Sequence, residues 1–312
     1  MNKRDFVLSL LSPSYTHGAV PAAFFLHFDE QFRRGRAAID KHLEFFRFTG
    51  MDIVKIQFEL PMPHVDIASA RDWEKLPQLD RDFFAPQLEV VKGLVSEAKR
   101  EALVILTLYS SFMLANQMTD ADVVTRAISD TPDAFKRGIG RITDNLLAFV
   151  RECIRMGLDG FYTSTQGGEA GHLADPSSFD ECVRPYDLAV MDAINEACEF
   201  SILHVCDYHL PYSDLSPFSD YPGQVVNTPL ELAGGKIGAR EVAKMFGRPF
   251  MGGLERKGVI AKGTPEQIRT AVREAIAGAP DRYILGADCT VPADTPWENL
   301  RIAIEASHAN RE

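Results

Sequence analysis

The chain has 312 residues, 46% hydrophobic and 25% charged, which is enough apolar content for a large core with no bias towards disorder. Its net charge of −11 argues against the basic face that phosphate neutralisation needs, so no nucleic-acid partner is expected. The longest apolar runs are too short to span a bilayer, so no membrane partner is expected either.

At the N-terminus, Met1-Asn2-Lys3-Arg4 followed by Phe6–Leu11 has the outline of a secretory leader. Asp5 interrupts it, and Ser12-Pro13-Ser14 offers no small-x-small cleavage pattern, so a cytoplasmic protein is expected. Short β-branched or aromatic runs then recur, and strands are expected near Val20–Phe28, Asp52–Phe58, Leu103–Tyr109, Gly160–Ser164, Ser201–Val205, Gln224–Asn227, Pro249–Gly252 and Tyr283–Leu285. Between them lie amphipathic stretches. In Phe135–Met156 the apolar Ile139, Ile142, Leu146, Phe149 and Cys153 step by three and four residues. Pro265–Ala277 opens with Thr264 as N-cap, Pro265 at the first helical position and Gln267 completing a capping box.

Eight strands alternating with helices point to a parallel sheet, and closure is the economical way to bury both its faces. The expected fold is a single α/β domain over 1–312, a (β/α)₈ TIM barrel with an N-terminal extension and long loops at the C-terminal face. An open doubly wound sheet is the structural alternative, weakened by the lack of a G-x-G-x-x-G after the first strand.

In a barrel, chemistry sits just past the carboxyl ends of the strands. That directs attention to His27, Asp29, Gln57, Glu59, Tyr109–Ser111, Gln166, Glu169, His204, Cys206, Asn227, Glu255 and Cys289. His204-Val205-Cys206 ends the fifth expected strand, and residues two apart in a strand project to the same side. Cys289 follows the eighth strand, whose end converges on the same opening. Two thiolates and an imidazole are the donors zinc prefers, and three protein ligands leave one position for substrate. A His-x-Cys pair alone is common and mostly structural; its coincidence with a cysteine at a second strand end is the more specific signal. Cys153, Cys182 and Cys198 fall in expected helices and read as packing residues, and an odd, dispersed set of five cysteines is no disulfide framework.

Two stretches carry a resemblance over nearly the whole chain. They are Gly160-Phe161-Tyr162-Thr163-Ser164-Thr165-Gln166-Gly167-Gly168 and Leu285-Gly286-Ala287-Asp288-Cys289-Thr290-Val291-Pro292-Ala293-Asp294-Thr295-Pro296-Trp297-Glu298-Asn299-Leu300. Both resemble the uroporphyrinogen-decarboxylase superfamily. Within it, His-x-Cys with a distant Cys is similar to the zinc motif of cobalamin-dependent, coenzyme M-type methyltransferases, and cobalamin-independent methionine synthase uses a similar set. The resemblance makes His204, Cys206 and Cys289 the zinc ligands, with Glu169, Glu255 or a water displaced by substrate in the fourth position. The methionine synthases' glutamate after the sixth strand is replaced here by Asn227-Thr228.

The decarboxylases' Arg-Gln-Ala-Gly-Arg segment after the first strand is also absent. Leu26-His27-Phe28-Asp29-Glu30 stands there, with Arg33, Arg34 and Arg36 downstream. Asp29 and Glu30 would repel an acidic tetrapyrrole. The expected activity is therefore transfer of a methyl group between a corrinoid, or another activated donor, and a zinc-bound thiol. His27, Gln57, Tyr109 and Gln166 are the candidates to position substrate or accept its proton. No Asp-x-His-x-x-Gly corrinoid motif occurs, so any cobalamin comes from a separate corrinoid protein or as free cofactor. The alternatives are a metal-free decarboxylase or other lyase of the superfamily, and a non-catalytic corrinoid- or tetrapyrrole-binding barrel. The oligomeric state stays open, although such barrels often pair as homodimers. Asp207–Gly223, rich in Tyr, Ser, Pro and Asp, reads as a long loop serving as a lid or a docking surface.

Overall fold

A computed structural model describes residues 2–15 and 18–309. Met1 of the leader-like stretch lies outside the described residues. Lys3–Ser9 is a short helix capped by the Asn2 side chain, with Phe6 and Val7 buried. No helix among the described residues is long and apolar enough to cross a membrane.

Seven parallel strands form the main sheet: β1 (Ile53–Ile56), β2 (Leu103–Tyr109), β3 (Gly160–Thr165), β4 (Ile202–Val205), β5 (Val225–Asn227), β8 (Phe250–Leu254) and β9 (Tyr283–Ala287). A small antiparallel hairpin, β6 (Glu231–Leu232) with β7 (Gly235–Lys236), stands outside it. The order β1-β2-β3-β4-β5-β8-β9 follows the chain, as right-handed β–helix–β crossovers require. Almost every strand residue is buried, because core side chains fill one face and helices cover the other.

The eighth position is taken by the extended stretch 20–28. The Asp52 N–H donates to the Ala22 carbonyl (2.9 Å), Ala23 N–H donates to the Leu285 carbonyl (3.0 Å), and Leu285 N–H donates to the Pro21 carbonyl (2.8 Å). The stretch therefore bridges β9 to β1 and closes the strongly curled sheet. It is not the regular strand expected for Val20–Phe28, and only Ala22 and Leu285 form a bridge. Its ladder groups are spent elsewhere. Pro21 has no N–H, the Ala22 N–H goes to the Asp52 carboxylate (2.8 Å), and the Leu26 carbonyl accepts from the Gln57 side chain (2.7 Å). At Gly286 a Cβ would come within 2.8 Å of Met251 and 3.1 Å of the Ala23 carbonyl, so glycine is what lets this seam close.

The helices follow the sequence pattern. Pro132–Arg155 buries Ile139, Ile142, Leu146, Phe149 and Cys153 on one face, and each such side chain stabilises the fold by roughly 2 kcal/mol. Pro265–Gly278 starts at Thr264 with the expected reciprocal capping box. Trp297 opens the last helix (Trp297–His308), edge-on to Phe45 and beneath the Lys41 ammonium. The 207–223 loop is only partly free. Tyr212, Leu215, Phe218 and Tyr221 are fully buried and anchor it, while Tyr208 and Leu210 stand exposed beside the barrel mouth.

Candidate metal centre

β4 delivers His204, and Cys206 follows at its end; Cys289 lies two residues past β9. The alternation of an extended chain puts His204 and Cys206 on one side, and the closed barrel brings Cys289 to them. One ligand atom from each, the two sulfurs and an imidazole nitrogen, lie within 4.8 Å of one another. All three residues are buried.

The donors are held but not satisfied. Both ring nitrogens of His204 are buried without a hydrogen-bond partner, although the ring stacks on Tyr162 at a centroid distance of 4.9 Å. A buried imidazole left unpaired is costly, and a metal removes that cost. The Cys206 backbone is pinned at both ends: its N–H donates to the Thr165 carbonyl (3.0 Å) and its carbonyl accepts from the Tyr212 hydroxyl (3.1 Å). The Gln166 amide donates to the Cys206 sulfur at 3.6 Å. The neighbouring Cys206 sulfur pushes the Cys289 thiol well down, helped by His204 and Arg256, whereas Cys206 is pushed up by the same contact and by burial. Two sulfurs this close titrate as a pair, so that deprotonation of one is favoured by the proton left on the other. Two thiols and an unpartnered imidazole fit a zinc ion, with a fourth position left for another ligand.

Arg256 supports this group. Its Nη1 donates to Asp207 (2.9 Å) and Asp288 (2.7 Å), the residues directly after Cys206 and directly before Cys289. The Asp288 carboxylate also accepts the Arg256 backbone N–H at 2.7 Å. Burial lifts the Asp288 carboxyl to about 6, and Arg256 works against that rise. One guanidinium thus ties together the two segments that carry the thiols. It arrives there because β8 bends at Gly252 and Gly253, both at positive φ, just before its end at Leu254. A Cβ at Gly253 would meet the Tyr283 hydroxyl at 2.2 Å.

The cluster opens into a cavity of about 440 Å³. His27, Tyr109 and Gln166 line it, as the strand-end argument anticipates; Gln57 does not. His27 Nδ1 lies 2.7 Å from Glu59, which also pairs with Arg33. The Tyr109 hydroxyl has its pKa raised, mainly by burial. The Gln57 carboxamide is consumed inside the barrel by the Leu26 carbonyl, Lys55 and Thr107. Asn227 is also internal, accepting from the Tyr162 hydroxyl (2.5 Å) and donating to the Met251 and Ala287 carbonyls.

Neither glutamate proposed for the fourth position belongs to the ligand group. Glu169 accepts the Gly167 N–H at 2.7 Å, and Glu255 accepts the Lys257 N–H and lines a separate cavity. Asp29 only precedes a short 3₁₀ turn, and Ser110 and Ser111 serve helix capping and a bond to Thr143. Arg33, Arg34 and Arg36 are absent from the cavity lining. Strand-end reasoning passed over Arg256, Lys55, Tyr208 and His209, which line the cavity. For Lys55 the signal was present in Ile53-Val54-Lys55-Ile56, a lysine in the middle of an apolar strand.

The comparisons with known proteins agree with this architecture. Residues 47–310 match the family model of uroporphyrinogen decarboxylase, and the chain belongs to that family. It is 24% identical over 309 residues to a methylated-thiol–coenzyme M methyltransferase of Methanosarcina mazei, covering 90% of this chain and 77% of the relative. Among solved structures, a methyltransferase from Methanosarcina mazei superposes with a TM-score of 0.80 at 14% identity over 98% of both chains. A B12-independent methionine synthase from a Shewanella species gives 0.56 at 13% identity over 96% of both. At these identities the two structures show a shared fold.

Proposed function

We propose that this member of the uroporphyrinogen decarboxylase family is a zinc-dependent methyltransferase that moves a methyl group from a corrinoid, or another activated donor, to a thiol. The observation that carries the reading is the cluster of His204, Cys206 and Cys289 with its orphaned imidazole at the cavity floor. A zinc ion held by these three lowers a thiol's pKa below its ordinary value of about 8.5 and keeps the sulfur nucleophilic. The methylated-thiol–coenzyme M methyltransferase relative supports the same class.

The chain's own groups then have definable tasks. Arg256 holds the Cys206 and Cys289 segments together through Asp207 and Asp288. The Gln166 amide draws charge from the Cys206 sulfur. Tyr109 and Met113 pack in one apolar cluster with the two cysteines and keep water from that side. Arg256 and Lys257 line the cavity, and no carboxylate does so among the described residues, which favours a thiol that carries an anionic group. The corrinoid, in this reading, is brought by a separate protein or as free cofactor.

Metal analysis of the purified protein tests the proposal. About one zinc per chain is expected, with retention reduced at least about a thousandfold in a Cys206→Ser/Cys289→Ser double variant. After cobalt substitution, adding 2-mercaptoethanesulfonate should shift the visible absorption as a further sulfur joins the metal. A folded protein with no affinity for zinc rules the proposal out.

A further inference from the structure

Beneath the cluster of His204, Cys206 and Cys289 lies a buried lysine with no counter-charge among the described residues. Lys55, on β1, is buried and lines the cavity. It donates to Gln57 Oε1 (3.0 Å) and Thr107 Oγ1 (2.9 Å) and sits 4.5 Å from the ring centroids of both Phe25 and Tyr162. No carboxylate lies within 4.0 Å of it among the described residues, and Glu59, in the segment that follows β1, is committed to His27 and Arg33.

Strand register fixes its height. Thr107 pairs with Tyr162, and Ser164, two residues on, pairs with His204. Lys55 therefore reaches the layer directly below His204, with the Tyr162 ring touching both.

A lysine buried without an anion is costly as an ammonium and inexpensive as an amine. A neutral amine has two N–H donors and one lone pair. The donors are matched by Gln57 and Thr107, which leaves the lone pair for a third direction. At this depth Gln57 is fully used and the Tyr162 hydroxyl donates to Asn227, so neither competes for a proton.

We propose that Lys55 accepts the proton of the substrate thiol. The S–H bond breaks, an Nζ–H bond forms, the sulfur keeps the electron pair as thiolate, and no redox partner is involved. The resulting ammonium gains the anion that its site lacks, and the thiolate gains a neighbouring cation. This rests on the thiol-methyltransferase reading.

The surroundings suit such a role. Burial is the leading influence on Lys55 and lowers its pKa from 10.5 to about 7. Cys289, Glu59 and Cys206 oppose the shift, and His42, buried on the helix Gly35–Thr49, is held neutral with a pKa of about 4. The extended stretch 20–28 contributes Phe25, β2 contributes Thr107 and β3 contributes Tyr162 to its surroundings.

The test is calorimetry of thiol binding to the zinc-loaded protein, in buffers of different ionisation enthalpy, with 2-mercaptoethanesulfonate and the uncharged 2-mercaptoethanol as probes. At about pH 8 the amine is mostly neutral, so wild type should release almost no protons to buffer. Lys55→Met should release about one per thiol, and so should Lys55→Arg, whose guanidinium stays protonated. Below about pH 6 the wild-type lysine is already charged, and the difference should vanish. Equal proton release by all three proteins at about pH 8 overturns the assignment. If Lys55→Arg matches wild type while Lys55→Met alone differs, Lys55 is an anion anchor and the assignment also fails. Absence of thiol binding in wild type instead defeats the underlying methyltransferase reading, which keeps the two failures apart.

Discussion

The ends of β4, β8 and β9 make one wall of the cavity, and β1, β2 and β3 make the other. On the first wall the His204 ring nitrogens lack partners while everything around them is braced: Arg256 spans Asp207 and Asp288, and Tyr212 and Thr165 pin Cys206. On the second, most polar atoms are satisfied internally: Gln57 is consumed by a carbonyl, a lysine and a threonine. What is missing there is a charge partner for Lys55. A missing hydrogen-bond partner on His204 marks the place for a metal, and a missing counter-ion on Lys55 marks the place for a proton or an anion. Perturbed groups facing one cavity from two sides are what a reaction needs.

The sharpest way to break this contrast is to remove the brace. Arg256→Met leaves two part-buried carboxylates uncompensated and should cost about 3 kcal/mol of stability, read as a lower midpoint in urea. Burial already lifts Asp288 to about 6, and without Arg256 it must climb further. A carboxyl whose folded pKa exceeds its ordinary 3.8 binds a proton in the native state that the unfolded chain lacks. The variant should therefore lose stability as pH rises through that window and come closest to wild type near its lower end. Zinc retention should fall too. Unchanged zinc retention in the folded variant would separate Arg256 from the metal centre.

The opposite wall should respond with the opposite sign. Lys55→Met removes a cation whose folded pKa, about 7, lies below its ordinary 10.5. The native state binds fewer protons than the unfolded chain across that interval, so wild type is least stable below about pH 7 and gains stability as pH rises towards 10.5. The methionine variant should lack this slope. Near neutrality it should be more stable than wild type by about 2 kcal/mol, less than the full shift because two hydrogen bonds are also lost. A variant that is destabilised at every pH would show that Lys55 serves packing alone.

The same contrast explains which parts were legible in the sequence. His204 and Cys206 could be paired because strand alternation is rigid, and Cys289 because barrel closure brings strand ends together. Thr264-Pro265 marked a helix start because capping chemistry is local. The first strand was misjudged as regular because apolar pattern says nothing of where its N–H and C=O groups go, and here Asp52 and Gln57 take them. Arg256 was passed over in favour of Glu255 because a bend at two glycines decides which residue faces the site. Lys55 escaped a search confined to strand ends, since a long side chain rises from mid-strand into the mouth.

Glu169 gives the smallest expected effect and the cleanest boundary for the metal centre. Burial raises its pKa from 4.5 to about 7, while its oxygen accepts the Gly167 N–H and lies 3.4 Å from His172. Its protonated form is favoured in the folded state, so wild type should lose stability as pH rises from about 4.5 to 7. Glu169→Gln keeps an acceptor for Gly167 and removes the titration, so that slope should disappear with a gain of about 1 kcal/mol near pH 8. Its zinc content should equal that of wild type, because Glu169 stands outside the three-residue ligand group. Loss of zinc from this variant would instead make the loop after β3 part of the metal wall, and the fourth position would then belong to the protein and not to the incoming thiol.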